Sequence, residues 1–498
     1  MTQARALAVL GTASDVGKSL IAAALGRLLA DAGIDVAPFK AQNMALQAGV
    51  TPEGGEMGRA QILQARACRQ VPHVDMNPVL LKPESDTGAQ VVVLGKATSR
   101  TTAKDYFAGP RNPLADVAEA ALLRLASRHE AIVLEGAGSP VEVNLMARDF
   151  VNLAPARRLD GKLILVADID RGGVFAQVKG TVELLPDEDR ARLLGIIVNR
   201  FRGDPALFAD GIATLERLAG VPVLAVVPWL RHGLDEEDRP PTLPIDAPPV
   251  RGALNVGVIL HPHVANTEDI APLGAEPDVA PAWITGPASV AGRDLLVLLG
   301  TKATIPDLVH HTASGTLEAV RREWSDGAWL LGICGGYQML GARLEDPAHI
   351  EGPVAAWPGL AIFDALTRFA PDKTLSQRHV TSAWPEPGHA LEGYEIHHGQ
   401  TSGTGVPLAQ ADGARIGLVA ERAVGTYLHG VLYNDGWRAA FLARVREDRG
   451  LPPSPPVAFD PLDTRIDRWA RHVASALRPG AWERILAAIA PAAELDGR

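Results

Sequence analysis

Short apolar runs recur along the chain and are separated by segments that have the periodicity of helices. In the first half they lie at Ala6–Leu10, Ala131–Leu134, Leu163–Ala167, Gly195–Val198 and Val223–Val227. Runs of Val, Ile and Leu without polar alternation are typical of parallel strands that are buried on both faces of a sheet. The first half therefore predicts an α/β domain built on a parallel sheet.

A second series of the same kind follows a proline-rich stretch. The apolar runs lie at Val256–Leu260, Leu295–Leu299, Trp329–Ile333, Ile416–Ala420 and Val424–Leu428. The stretch before them contains Pro240, Pro241, Pro244, Pro248 and Pro249, which can neither continue a helix nor pair as a central strand. We therefore predict two doubly wound α/β domains at residues 1–235 and 252–445, a linker at 236–251 and a helical C-terminal extension at 446–498.

Composition narrows the class of protein. The 498 residues are 47% hydrophobic and 21% charged, with a net charge of −10 and no block of basic residues, so we expect no nucleic-acid partner. No apolar run approaches the roughly 20 residues of a membrane helix, and we expect no membrane partner. Cys68 and Cys334 are too few for a disulfide framework, which favours a reducing compartment and a cytoplasmic protein.

The first apolar run leads into a phosphate-binding signature. Gly11-Thr-Ala-Ser-Asp-Val-Gly-Lys-Ser19 opens into a helix predicted over Ser19–Ala32 and ended by Gly33. Backbone N–H groups of such a loop form an anion cradle, Lys18 reaches the terminal phosphates, and the Ser19 hydroxyl binds Mg²⁺. The predicted ATP-binding residues are Thr12, Asp15, Val16, Gly17, Lys18 and Ser19.

Two further residues end buried strands of the first domain. Ligand groups in open α/β sheets lie at the carboxyl ends of the strands, which makes Glu135 a candidate Mg²⁺ ligand together with Ser19. Asn199 closes another strand, and the resemblance of the loop Gly11–Ser19 to that of dethiobiotin synthetases implies that it binds the adenine edge. A strand-end acid that caps a turn, and an Asn that initiates one, are the alternative interpretations.

The second domain contains a candidate nucleophile. Cys334 follows the strand Trp329–Ile333 and precedes Gly335 and Gly336, and glycines at a tight strand-to-helix elbow expose such a side chain. His429 ends another apolar run and is the preferred general acid and base, because neighbouring strand ends bring a Cys and a His together. His397 and His398 remain alternatives for that role. Cys68 has no elbow and is predicted to be an ordinary helix residue.

The chain resembles known families in both halves. The loop Gly11–Ser19 is similar to that of dethiobiotin synthetases, and Gly332-Ile-Cys-Gly-Gly-Tyr-Gln338 with Tyr427-Leu-His-Gly430 resembles triad-type glutamine amidotransferases. Most triad relatives carry Glu two residues after the His, where this chain has Val431. That absence is shared by the cobyric acid and cobyrinic acid diamide synthases.

Three further runs resemble the family of cobyric acid synthases. They are Phe39–Gln47, Gly55–Gln61 and Val166–Phe175. The resemblance implies that glutamine is hydrolysed at Cys334 and His429, with the oxyanion held by the N–H groups of Gly300 and Gly335. It also implies that the ammonia passes internally to the first domain, where ATP and Mg²⁺ activate a carboxylate.

The implied substrate is adenosylcobyrinic acid a,c-diamide, amidated at its b, d, e and g carboxylates to adenosylcobyric acid. Because this substrate is polyanionic and the chain is acidic, local cations are required. The candidates in the family-like runs and beside them are Lys40, Arg59, Lys82 and Arg171.

Two alternative functions stay open. One is cobyrinic acid a,c-diamide synthase, which uses the same chemistry on different carboxylates. The other is a P-loop switch ATPase with a degenerate amidotransferase domain, but Ala13 stands where partition-type ATPases carry a Lys.

Overall fold

A computed structural model describes residues 4–83, 88–102, 113–234, 242–411 and 414–489. Residues 235–241, which include the start of the predicted linker, lie outside this part of the chain. No helix among the described residues combines the length and the apolar character needed to cross a membrane.

The chain divides into two compact units whose boundaries differ from the predicted domains. The first unit comprises Met1–Ala45, Gly55–Asp238 and Asp460–Arg498, and the second comprises Leu46–Gly54 and Arg239–Phe459. A short early segment, Leu46–Gly54, thus folds with the second unit. The last residues of the chain return to the first unit and do not form a separate extension.

A six-stranded parallel sheet forms the centre of the first unit. Four of the predicted apolar runs are its inner strands, and hydrogen bonds join every neighbouring pair in parallel. Val36–Phe39 is an edge strand that the apolar pattern did not predict, because it is short and contains a proline. The strands in spatial order are Val223–Pro228, Leu193–Phe201, Lys162–Asp168, Arg5–Gly11, Ala131–Glu135 and Val36–Phe39.

Helices cover this sheet, and the first unit also contains a smaller sheet. Among the described residues, the α-helices of the first unit are Lys18–Asp31, Arg59–Ala67, Leu114–Ala126, Leu153–Arg158, Val174–Leu184, Asp187–Arg190, Ala209–Ala219, Leu462–Ser475 and Ala481–Ile489. The smaller sheet consists of Gln42–Met44, Val79–Pro83, Gly88–Val93 and Lys96–Thr102. Cys68, which was predicted to be a helix residue, is buried in the turn that directly follows the helix Arg59–Ala67.

The C-terminal helices pack into the core of the first unit. Ile466, Trp469 and Val473 share the predicted helix face and join the apolar cluster that contains Leu7 and Ile21. The Trp469 indole N–H also donates a hydrogen bond of 2.7 Å to the Leu20 carbonyl. The amphipathic pattern predicted a packed extension, and the burial of its apolar face explains why it belongs to this unit.

The second unit has its own six-stranded sheet, parallel except at one edge. In spatial order the strands are Val279–Ile284, Leu254–Ile259, Leu295–Leu298, Trp329–Ile333, Ala423–Thr426 and Leu418–Ala420. The last strand is antiparallel and is shorter than predicted, because Gly417 has a φ of +66° and breaks the run that begins at Ile416. The two parallel sheets confirm the predicted α/β class.

The remaining elements of the second unit surround this sheet. Its α-helices are Thr304–Ala313, Thr316–Ser325, Gly335–Leu340 and Asp435–Asp448, and its longest 3-10 helix is Thr267–Ala275. A long antiparallel hairpin pairs Ala365–Ser382 with Ala390–Gly403. The further strands of this unit are Ala48–Val50, Val264–Ala265, Gly300–Thr301, Arg343–Glu345, Ala356–Pro358, Ala409–Ala411 and Ala414–Ile416.

Candidate active sites

The predicted phosphate loop follows the strand Arg5–Gly11 and leads into the helix Lys18–Asp31. Gly17 directly precedes that helix with a φ of +92°. A Cβ atom at Gly17 would lie 2.2 Å from the Asn199 side-chain nitrogen, so only glycine fits here. The loop therefore presents its backbone and a helix N-terminus at the carboxyl edge of the sheet, an arrangement that suits an anion.

The two polar residues that end this loop are positioned by hydrogen bonds. The Lys18 ammonium donates to the carbonyls of Ala13, at 2.9 Å, and Gly138, at 3.1 Å. The Ser19 hydroxyl donates to Glu135 Oε1 at 2.6 Å. Lys18 is thus held against the loop, while the hydroxyl of Ser19 lies beside a strand-end carboxylate, as the sequence predicted.

Glu135 is the centre of a buried polar network. Besides Ser19, its carboxylate accepts hydrogen bonds from Lys40 at 2.9 Å, Gln64 at 2.5 Å and Gln61 at 3.4 Å. Burial by itself would raise the pKa of Glu135, but the Lys40 charge and these hydrogen bonds outweigh it and lower the pKa. An ionised carboxylate beside a hydroxyl offers the oxygen ligands that Mg²⁺ prefers, and the site fits this ion.

The other candidate nucleotide residues adjoin the loop. Asn199 Nδ2 donates to the Val16 carbonyl at 2.9 Å, so this side chain holds the backbone of the phosphate loop. The Asp15 carboxylate pairs with Arg171 and with Arg200. The Thr12 hydroxyl donates to Gln177 at 3.2 Å.

The four candidate cations for the corrinoid are placed differently. Lys40 belongs to the Glu135 network and Arg171 is a half-exposed partner of Asp15. Lys82 forms a buried ion pair of 2.8 Å with Glu56. Arg59 begins the helix Arg59–Ala67 and is partly buried.

In the second unit, Cys334 occupies a sharp elbow between a buried strand and a short helix. It has a φ of +52°, a strained value for a residue with a side chain. A Cβ atom at Gly336 would lie 1.9 Å from the Leu298 carbonyl oxygen, so the helix approaches the neighbouring strand as only glycine permits. Cys334 is 8% exposed, and its thiol donates to the Ile396 carbonyl at 3.6 Å.

His429 lies beside this elbow, and its imidazole ring is hydrogen-bonded to the carboxylate of Asp269. Its Nδ1 lies 2.7 Å from Oδ2 of Asp269, and the other oxygen of Asp269 accepts the Gly430 N–H at 2.7 Å. Nε2 of His429 is buried and has no hydrogen-bond partner among the described residues. Burial would lower the pKa of His429, but the charge and hydrogen bond of Asp269, together with Cys334, raise it to about 10.

Gly300 lies between the two catalytic candidates. A Cβ atom placed on it would be 3.3 Å from Cε1 of His429 and 3.7 Å from the Cβ of Cys334. Gly300 pairs with Ala265 in a two-stranded ladder, and a Cβ on Gly335 would lie 3.0 Å from the Thr301 N. The backbones of Gly300 and Gly335 are thus near the thiol, where an oxyanion hole is required.

Comparison with known proteins covers both units. The CobQ/CobB/MinD/ParA nucleotide binding domain model matches residues 7–238, and the CobB/CobQ-like glutamine amidotransferase domain model matches residues 255–437. A cobyric acid synthase of Chlorobium phaeobacteroides (strain BS1) is 44% identical over 96% of this chain and 98% of the relative. The chain belongs to the cobyric acid synthase family. A cobyric acid synthase of Sorangium cellulosum is 43% identical over the same shares, and one of Syntrophobacter fumaroxidans is 45% identical over 90% of this chain and 91% of the relative.

In this member of the cobyric acid synthase family, the alternative histidines face other groups. His397 Nδ1 donates a hydrogen bond of 2.7 Å to the Gly399 carbonyl, and the ring stacks on Tyr427. Burial lowers the pKa of His397 to about 4. His398 Nδ1 lies 3.1 Å from the Ala370 carbonyl. His429, in turn, is paired with the Asp269 carboxylate.

Asp269 is the functional candidate that sequence reasoning missed. It precedes His429 by 160 residues and lies in the 3-10 helix Thr267–Ala275, so no local spacing connects the two. One signal was present, because the acids Glu268 and Asp269 follow the buried strand Leu254–Ile259. The carboxyl end of that parallel strand lies at the same edge of the sheet as those preceding Cys334 and His429.

Proposed function

We propose that the chain amidates the b, d, e and g carboxylates of adenosylcobyrinic acid a,c-diamide to give adenosylcobyric acid, with glutamine as nitrogen donor and ATP as energy source. The main support is that the chain combines a phosphate loop with three residues suited to glutamine hydrolysis. Cys334 is the nucleophile, His429 is the general acid and base, and Asp269 orients His429. Family membership over nearly the whole chain supports the choice of substrate.

At the first centre, glutamine loses its side-chain nitrogen. The proton of the Cys334 thiol passes to Nε2 of His429, the thiolate sulfur attacks the amide carbon, and the N–H groups of Gly300 and Gly335 stabilise the oxyanion. Protonated His429 gives its Nε2 proton to the leaving nitrogen, and ammonia departs from a thioester. Neutral His429 then takes a proton from water, which attacks the thioester and releases glutamate and the thiol. Asp269 holds the imidazole ring so that Nε2 faces the sulfur throughout.

At the second centre, ATP activates the carboxylate of the corrinoid. The carboxylate oxygen attacks the γ-phosphorus while ADP leaves, and Lys18 stabilises the charge on the phosphates. Ser19 and Glu135 would hold Mg²⁺, which would supply neutralisation of the phosphate charge. Ammonia then attacks the acyl phosphate carbon, phosphate leaves, and a proton is lost to give the amide. Since free ammonia at neutral pH is mostly ammonium, the nitrogen has to pass between the centres without equilibrating with solvent.

Local cations are proposed to bind the corrinoid side-chain carboxylates. Lys40 and Arg171 are the best supported, because both belong to networks around the phosphate loop. Arg59 and Lys82 remain candidates in the same unit. Asn199 is proposed to contribute its side-chain oxygen to adenine binding while its nitrogen supports the loop.

The competing functions predict different products. A cobyrinic acid a,c-diamide synthase would amidate the a and c carboxylates, and a switch ATPase would hydrolyse ATP without releasing glutamate. The intact elbow at Cys334 and the ion pair behind His429 favour a working glutaminase over a degenerate one.

The test replaces Cys334 with Ala. We expect the Cys334→Ala protein to lose glutamine-dependent amidation of the diamide corrinoid and to retain amidation driven by ammonium salts. Cys68→Ala is the matched control, because that thiol is buried beside a helix and burial raises its pKa. Loss of both reactions in Cys334→Ala, with an unchanged melting temperature, would contradict two separate centres.

A further inference from the structure

Gly300, whose N–H is assigned to the oxyanion hole, lies in a ladder that is only two residues long. Gly300 pairs with Ala265, and Thr301 pairs with Val264, in antiparallel order. Even a complete two-stranded hairpin is at best marginally stable in water. Backbone pairing is therefore a weak constraint on the position of Gly300, and other contacts are needed to hold it.

The Asp307 carboxylate connects the two strands of this ladder. One of its oxygens accepts a hydrogen bond from the Thr301 hydroxyl and another, at 3.2 Å, from the His263 N–H. Its other oxygen lies 2.7 Å from Nδ1 of the His263 ring. Thr301 belongs to one strand, and His263 directly precedes the other, Val264–Ala265. The carboxylate thus joins the strands at the end of the ladder, one residue away from Gly300.

Asp307 is in turn fixed by a regular helix. It is 0% exposed and lies in the first turn of the helix Thr304–Ala313, where the helix dipole favours a negative charge. Its N–H donates to the Ala303 carbonyl at 3.0 Å, and the Ala303 N–H donates to the Thr301 hydroxyl at 3.1 Å. The position of Thr301 is therefore set by the helix through buried hydrogen bonds.

Thr301 also packs against Gly335, the second candidate for the oxyanion hole. A Cβ atom placed on Gly335 would lie 2.7 Å from the Thr301 methyl carbon and 3.0 Å from the Thr301 nitrogen. Gly335 directly follows Cys334, and Gly300 directly precedes Thr301. A displacement of Thr301 therefore changes the distance between the two backbone segments that would hold the oxyanion.

We propose that Asp307 and Thr301 are positioning residues that hold the backbone of Gly300 where it stabilises the oxyanion formed at Cys334. The inference rests on the proposed function, because the oxyanion arises only if Cys334 attacks glutamine. Both side chains act through the backbone of Gly300. Preorganised donors are effective because they need no rearrangement when charge develops, so a loosened strand lowers the rate of acyl transfer.

A role in stability alone is the competing explanation, because the buried hydrogen bonds of Asp307 also contribute to folding. Such a role lowers the melting temperature without a selective effect on one step of the reaction. The positioning role predicts that the rate of acyl transfer falls while glutamine binding and the reactivity of the thiol are retained. The two explanations therefore differ in which rates change.

The first test replaces Thr301 with Val, which keeps the shape of the side chain and removes the hydroxyl. Glutamate release is measured in the full-length protein with Mg-ATP and the diamide corrinoid present throughout. Loss of one oxyanion-hole donor costs about 10²- to 10³-fold in kcat, so we expect a displaced donor to cost at least about tenfold, with KM for glutamine within about twofold. Thr301→Ser keeps the hydroxyl, and its kcat should stay within about threefold of the wild type.

The second test removes the carboxylate. Asp307→Ala is expected to lower kcat by at least about tenfold, and combining it with Thr301→Val should add little, because the two residues act through one contact. Asp294→Ala is the matched control. Asp294 is also buried, and it directly precedes the strand Leu295–Leu298, whose opposite end leads to Gly300. Ammonia-dependent amidation should keep the wild-type rate in all of these variants.

Alkylation by iodoacetamide separates the oxyanion hole from the thiol. The Cys334 sulfur displaces iodide from a carbon atom, and no oxyanion forms, so the rate follows the reactivity of the thiolate. We expect the rate in Thr301→Val and Asp307→Ala, and its dependence on pH, to stay within about twofold of the wild type. Mass spectrometry of the modified peptide distinguishes Cys334 from Cys68.

The outcomes separate this inference from the proposed function. A wild-type kcat in Thr301→Val, or a kcat in Thr301→Ser as low as that in Thr301→Val, would overturn the inference. Alkylation that slows in parallel with kcat would also overturn it, because the whole site would then be disturbed. If Asp307→Ala does not fold, the comparison of the Val and Ser variants decides by the same criteria. Absence of corrinoid amidation by the wild type, with glutamine or with ammonium salts, would instead overturn the proposed function.

Discussion

Replacement of Asp269 by Asn tests the orienting role of this acid in the proposed glutaminase. The substitution keeps the shape of the side chain and an oxygen for the Gly430 N–H. It removes the negative charge and presents an amide group to Nδ1 of His429, 2.7 Å away in the wild type. Once it is neutral, the imidazole is then expected to carry its single proton on Nε2, the wrong tautomer for taking a proton from the attacking water.

The size of the effect follows from the burial of the pair. Asp269 and His429 each have a side-chain exposure of 2%, so solvent cannot replace the lost partner. Removing one member of a buried ion pair costs about 3–5 kcal/mol. At about 1.4 kcal/mol for each tenfold change in rate, kcat for glutamine hydrolysis should fall by about 10²- to 10⁴-fold. The KM for glutamine should change little, because Asp269 does not contact the substrate.

The assay combines glutamate release with its pH profile. In the wild type, Asp269 keeps the pKa of His429 near 10, so the protonated form persists across the neutral range. In Asp269→Asn, burial acts without the opposing charge and the alkaline limb of the profile moves to lower pH. Ammonia-dependent amidation should be unchanged. Glu392→Gln is the matched control, because this acid is exposed and pairs with His379. A kcat within threefold of the wild type would refute the reasoning.

Three other expectations test separate parts of the structure. Because folding raises the pKa of His429 from 6.5 to about 10, its stabilising contribution is complete below pH 6.5 and is lost as the pH rises through 10. The difference in unfolding free energy between wild type and Asp269→Asn should therefore be larger at about pH 6 than at about pH 10.5, as measured by urea denaturation. Glu135→Gln should reduce ammonia- and ATP-dependent amidation by about 100-fold or more, since it removes the buried charge that pairs with the Lys40 ammonium and a candidate Mg²⁺ ligand; an amidation assay within tenfold of wild type would contradict this. Trp469→Ala should destabilise the first unit by about 3–5 kcal/mol in urea, whereas Leu207→Ala, at an exposed position, should change stability by less than about 0.5 kcal/mol.

The sequence predicted most of the two central sheets because their inner strands are buried on both faces. The observed bounds of Trp329–Ile333 equal the predicted ones, and Arg5–Gly11 extends the predicted run by one residue at each end. Elements with one exposed face were missed. The hairpin strand Ala365–Ser382 has many exposed and intermediate positions, so it gives no continuous apolar run.

Local chemistry was predictable where neighbouring residues determine it. The strained elbow at Cys334 and the left-handed Gly17 both follow from glycine positions beside a reactive side chain. Long-range pairings were not predictable in the same way. The pairing of Asp269 with His429 and the placement of Leu46–Gly54 in the second unit depend on which segments the fold brings together, and a single sequence carries no record of those contacts.

The same limit explains the C-terminal helices. The periodicity of Ile466, Trp469 and Val473 predicts that one helix face is buried. It does not indicate which part of the protein that face packs against. The hydrogen bond from Trp469 to Leu20 and the ion pair between Arg27 and Asp463 identify that partner as the helix after the phosphate loop.

The most direct test of the whole account follows a labelled nitrogen atom. Glutamine labelled with ¹⁵N in its side-chain amide is incubated with the protein, Mg-ATP and adenosylcobyrinic acid a,c-diamide in an excess of unlabelled ammonium, and the corrinoid is analysed by mass spectrometry. The account predicts a corrinoid in which the b, d, e and g amides carry ¹⁵N. An unamidated corrinoid despite glutamate release, or amides that contain mainly ¹⁴N, would contradict it.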